Sequence, residues 1–137
     1  MNHRKRIAFV IQHTTKRDVL DWIRAHHAVL VFHELYAVGC RVSELERDLG
    51  LEILPLQRGE AVRWAVTSTT GELPQVDMVI CFWNQPEALP RTPDERALVQ
   101  LAARWNLPFA CNRASADVMV TALPLVSELG TALPAAS

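Results

Sequence analysis

Apolar residues fall in short runs along the chain, separated by stretches with helical spacing. Runs of strand length occupy residues 7–11, 31–38, 52–56, 78–82 and 108–111. Two of them, "IAFVI" and "MVICFW", are continuously apolar, as central strands covered on both faces are. Between the runs, Val19, Leu20, Trp22 and Ile23 form one buried stripe with His26 and His27, leaving Arg17, Asp18, Asp21 and Arg24 to solvent. A short second helix is predicted to open with Ser43 as its cap and to close on Gly50. A third spans residues 60–69 and ends at "TTGELPQ". The fourth is the best marked: Thr92 caps it, Pro93 takes the first turn, and Asp94 and Glu95 suit its positive end. It runs to Asn106, and Pro108 stops it. A last helix follows "NRASAD", and residues 124–137 read as a loose tail. Strands alternating with helices predict an α/β fold on a parallel sheet.

Composition narrows this to one unit. A chain of 137 residues, half of them apolar, suits a single domain with a proper core, here 1–137. A formal charge of −1 implies no general attraction to nucleic acid or an anionic membrane. The apolar runs are far shorter than the roughly 20 residues of a membrane span, and "MNHRKR" does not resemble a secretory signal. The expected location is the cytoplasm. Cys40, Cys81 and Cys111 are widely spaced and odd in number, which fits reduced thiols rather than disulfides or a zinc site.

In an open parallel sheet, ligands bind beyond the carboxyl ends of the strands. Here that rule selects the loops 12–16, 39–42, 57–60, 83–92 and 112–115. They carry Lys16, Arg41, Arg58, Arg91 and Arg113, cations that could hold phosphate or carboxylate, or simply face solvent. His13 is a candidate acid or base, though no neighbouring acid orients it. Asp94 and Asp117 are the candidate carboxylates, each equally explained as a helix-start charge. Phosphate-cradling glycine loops, a GxSxG elbow and an HExxH pair are all missing from the sequence. The residues alone give a small α/β domain, a possible anion site and no assigned reaction.

The stretch "VDMVICFWNQPEALPRTPDERALVQLAARWNLPFACNRASADVMV" strongly resembles the methylglyoxal synthase family. That family has a strand ending in Phe-Trp-Asp-Pro, a His-Asp-Pro-Asp helix start, an Asn-Ile-Pro turn and an Asn-x-Ala-Thr-Ala-Asp segment. The likeness continues through "RIAFVIQHTTK", "ELYAVGCR" and "GLEILPLQRG", and covers about nine-tenths of the chain. It implies a three-layer, doubly wound, five-stranded parallel sheet. It also implies conversion of dihydroxyacetone phosphate to methylglyoxal and phosphate without metal or organic cofactor, in a homo-oligomer, a hexamer by resemblance. In such enzymes a carboxylate removes a proton beside the carbonyl, a histidine polarises the carbonyl and a cradle holds the phosphate.

Matched position by position, the resemblance retains the scaffold and little of the chemistry. The family's first-loop histidine falls on Gln12, while its phosphate-binding lysine is kept as Lys16; His13 is one position out of register. The Thr-Gly-Thr-Thr cradle becomes Val38, Gly39, Cys40 and Arg41. The third-loop serine becomes Arg58, Gly59 is kept, and the proton-abstracting aspartate falls on Trp64. In the fourth loop Asp-Pro becomes Asn84-Gln85, the second histidine becomes Arg91, and Asp94 alone matches among the acids. Three readings follow. The chain is an impaired homologue that binds a small phosphorylated or anionic metabolite, or an active synthase with groups relocated to His13, Glu60 or Asp94, or else an enzyme of altered reaction or a protein-interaction or regulatory module.

Overall fold

The computed structural model describes residues 4–39, 46–47, 49–71, 75–83 and 90–132, with side chains described as far as residue 123. Five strands, β1 (Arg6–Val10), β2 (Glu34–Val38), β3 (Ile53–Pro55), β4 (Met78–Ile80) and β5 (Phe109–Ala110), make one sheet in the order β3-β2-β1-β4-β5. Every pairing is parallel. The two continuously apolar runs supply β1 and β4, side by side at the centre, with Ile7 opposite Met78. Pro55, which cannot donate to a ladder, lies in β3 at the sheet edge.

Alternation along β1 divides the core in two. Ile7, Phe9 and Ile11 face one side, where they pack with α1 (Lys16–Ala25), α2 (His27–Leu30) and α5 (Arg113–Ala132). Ala8 and Val10 face the other, against α3 (Glu60–Ser68) and α4 (Pro93–Trp105). This is the three-layer, doubly wound arrangement, and burial of these two faces is its main stabilising term. Trp22 anchors the first cluster: its ring lies edge-on to Phe82, and its indole N–H donates to Asp117 on α5 at 2.9 Å. Trp83, packed 5.4 Å from Phe109, and Trp105 flank the second.

Local boundaries differ from the sequence reading in three places. The second strand begins at Glu34 instead of residue 31, because α1 stops at Ala25 and the chain winds through α2 before it can turn. Val31 and Phe32, apolar and adjacent to the strand, end that turn 51% and 69% exposed. His26 and His27 are therefore split between a helix junction and α2. At the other end, α5 runs on through Pro124 to Ala132, so residues 124–132 are helical where a loose tail was expected, while residues 133–137 lie outside the described residues. The second predicted helix survives in part: Glu46, Arg47 and Leu49 are helical and Gly50 closes it at φ 66°, while Ser43 lies outside the described residues. Among the described residues, no helix is long and apolar enough to cross a membrane.

Candidate functional site

At the carboxyl end of β1, Ile11 still belongs to the sheet, its N–H donating to Val38 at 2.9 Å. Gln12 then turns the chain: its carbonyl accepts from Thr15 N–H at 3.1 Å, and its own N–H donates to the buried Thr15 hydroxyl at 3.2 Å. α1 starts immediately after, at the half-buried Lys16. The end of β2 lies directly against this turn. Gly39 has φ 103°, and a β-carbon there would lie 2.5 Å from the Ile11 carbonyl oxygen. Only glycine permits that approach and that backbone conformation.

The loop after β3 is held from a distance. Gly59, at φ 84°, is the N-cap of α3 and has no side chain with which to close the helix end. Asp94, on α4, does so instead: Oδ2 accepts from Gly59 N–H at 2.8 Å and Oδ1 from Val62 N–H at 3.1 Å. Glu60 folds back locally, accepting from Gln57 N–H at 2.8 Å. Trp64, where the resemblance places a catalytic aspartate, stands edge-on to Tyr36 at 6.3 Å and packs into the second core cluster.

α4 begins as its sequence predicts, with the Thr92 hydroxyl accepting from Glu95 N–H at 3.1 Å. Glu95 itself is only 4% exposed. Its Oε1 accepts from the Gln12 side-chain amide at 2.8 Å and from Arg91 N–H at 2.9 Å. Two consecutive acids thus bring three loops to one helix start, Asp94 holding the third and Glu95 the first and fourth. Glu95 had no distinguishing signal in the sequence, because a first-turn acid after Pro93 is fully explained by the helix dipole.

The predicted residues divide accordingly. Gln12, Gly39, Gly59, Asp94 and the backbone of Arg91 are in or beside this junction, and Lys16 opens the helix that leaves it. The Arg58 and Arg91 side chains are exposed, and Cys40 and Arg41 lie outside the described residues. His13 is exposed beside Lys16, Arg17 and Arg24 on a shallow outer depression of 410 Å³. Arg113 borders a separate hollow of 260 Å³ with Asp18, Phe82 and Asn112. Asp117 joins helices instead of acting at the loops: Trp22 N–H and His26 Nε2, the latter 3.2 Å away, both reach its Oδ1 and hold it below the usual carboxylate range.

Cys81, at the end of β4, is fully buried. Burial, with the charges of Glu95 and Cys111 adding to it, pushes the thiol up to about 12, which makes it a poor nucleophile at neutral pH. Among the described residues, no group of three His, Cys, Asp or Glu side chains is arranged as metal ligands.

No family model matches the chain. A methylglyoxal synthase of Cellvibrio japonicus is 40% identical over 116 residues, covering 85% of this chain and 75% of that protein. One of Coxiella burnetii is 35% identical over 117 residues, covering 85% of this chain and 82% of its own length. The crystal structure of methylglyoxal synthase from Elizabethkingia anophelis superposes with a TM-score of 0.69 at 33% identity, covering 85% of this chain and 77% of that one. Sheet order, the glycine contact between the first two loops and these similarities agree: the chain belongs to the methylglyoxal synthase family.

Proposed function

We propose that this chain keeps the family's anion-binding scaffold, takes a small phosphorylated or anionic metabolite, and has lost most of the conversion of dihydroxyacetone phosphate to methylglyoxal. The observation that carries the proposal is the engagement of Asp94. The one acid retained by resemblance has both oxygens on backbone N–H groups of the third loop, at 2.8 and 3.1 Å, where it serves as a helix cap. Both oxygens are thereby committed to backbone donors of the third loop, as a helix cap's are. Of the other relocated candidates, Glu60 is bonded to Gln57 N–H and His13 faces outward.

Lys16, with Arg58 and Arg91 in neighbouring loops, supports anion binding by charge-assisted hydrogen bonds. The proposed setting is the cytoplasm, as a homo-oligomer. Exposed apolar residues such as Val31, Phe32 and Val118 support association, and light scattering on the purified protein gives the subunit number.

A purified-protein assay tests the reaction. Removal of a base and its electrophile typically lowers a rate by several powers of ten, so methylglyoxal formation is expected at least about a thousandfold below that of the Cellvibrio japonicus synthase. Comparable turnover would sink the impaired reading. A melting temperature raised by millimolar phosphate in wild type, and not in Lys16→Ala, is the expected result for the anion site.

A further inference from the structure

The ladder between β4 and β5 runs one pair past the strands themselves. Val79, opposite Phe109, donates its N–H to the residue before it, Pro108, at 3.0 Å. Cys81 donates in the same way to Ala110 at 2.8 Å, so the residue opposite Cys81 is Cys111. Side chains alternate along a strand, which puts Cys81 on the side of Val79 and Cys111 on the side of Phe109. That is one side of the sheet, since Val79, Cys81 and Phe109 share the second core cluster. Strands of a sheet lie about 4.8 Å apart and disulfide-linked cysteines have Cα atoms about 4.4–6.8 Å apart, so this register meets the backbone condition for a bond. Cys111 is also near enough for its charge to act on the Cys81 thiol. Both thiols are free, Cys81 buried and Cys111 partly exposed. Their wide spacing in the sequence concealed a pair that the parallel register makes.

We propose that Cys81 and Cys111 are a reversible redox pair, oxidised by peroxides to a disulfide that ties together the loop ends of β4 and β5. The partly exposed Cys111 reacts first. Its thiolate sulfur attacks one oxygen of hydrogen peroxide, the O–O bond breaks, and the hydroxide released takes up the thiol proton as water, leaving a sulfenic acid. The Cys81 sulfur then attacks the sulfenic sulfur: an S–S bond forms, the S–O bond breaks, and the departing hydroxyl leaves with the Cys81 proton as a second water. The two thiols lose the two electrons that the peroxide gains. A thiol pushed up to about 12 is a slow nucleophile towards a partner in solution, and the shared register offsets this by making the second step intramolecular. In a reducing compartment such bonds form and are reduced again, as a switch requires. The loop closed by the bond, residues 81–111, contains the whole of α4.

The test is intact mass and peptide mapping of the full chain after hydrogen peroxide, with free thiols alkylated in denaturant. The expected product has lost two hydrogens, links the Cys81 and Cys111 peptides within one chain, and returns to alkylatable thiols with dithiothreitol. Cys40→Ser removes the third thiol and is expected to form the same bond. In Cys81→Ala, an apolar replacement in the core, Cys111 is expected to stop at the sulfenic acid, trapped by dimedone, and then to pass on to sulfinic acid. The proposal is overturned by thiols that peroxide leaves unchanged, or by Cys111 sulfinic acid in wild type with Cys81 still alkylatable. A bond to Cys40 or between two chains in place of the Cys81–Cys111 link, or loss of that link in Cys40→Ser, overturns it equally. If Cys81→Ala does not fold, the wild-type and Cys40→Ser maps decide.

Discussion

Two glycines in the loops have positive φ for different reasons, and substitution separates them. Gly39 combines φ 103° with a carbonyl oxygen 2.5 Å from where a β-carbon would stand, so Gly39→Ala must displace β1 from β2. A loss of about 3 kcal/mol is expected from strain and overpacking together. Gly59 has φ 84° and nothing within 4 Å of the added atom, so Gly59→Ala meets only the backbone term, about 1 kcal/mol. Urea unfolding of the two variants checks the difference; equal losses would mean the Ile11 contact yields easily. Both glycines were found in the sequence through the family likeness. Glu95 was not, because side-chain burial depends on what the rest of the chain brings over it, and Gln12 reaches it from 83 residues away.

Among the elements, α4 organises the loop face. Its start is coded locally by Thr92, Pro93 and two acids, and the structure follows that code. The long-range use of those acids is another matter: Asp94 closes a helix more than thirty residues earlier in the chain, as its bonds to Gly59 and Val62 record. Asp94→Ala would leave two N–H groups of α3 without their acceptor, and a loss of about 2–3 kcal/mol is expected, with Asp94→Asn recovering part of it. Loop-three amides should then exchange faster in hydrogen-exchange measurements, while α1 is unchanged. The strand register was similarly half legible. Continuous apolar runs located β1 and β4 well, but Val31 and Phe32 extended the second run past its true start. An apolar run alone does not say which of its members the fold will cover.

Over the whole molecule, loop chemistry and stability are kept at opposite ends of the sheet. At the end away from the loops, His33 is 5% exposed, and its Nδ1 accepts from Lys5 N–H at 2.9 Å, joining the starts of β1 and β2. Burial, with the charges of Arg4 and Lys5, holds this imidazole below its ordinary value of 6.5. The unfolded chain therefore takes up the proton first. The stability His33 contributes is full above 6.5 and is lost as pH falls through that value towards the lower folded one. His33→Asn should show a smaller drop in urea midpoint on acidification than wild type; an equal drop would assign the effect elsewhere. The fold class was readable because it depends on averages over many residues, whereas the site depends on a few contacts between distant loops. One of those contacts limits what a single substitution can do. A histidine placed at position 12 would meet the buried carboxylate of Glu95 where the Gln12 amide now donates to it, so the two positions act as a pair and a change at one calls for a change at the other.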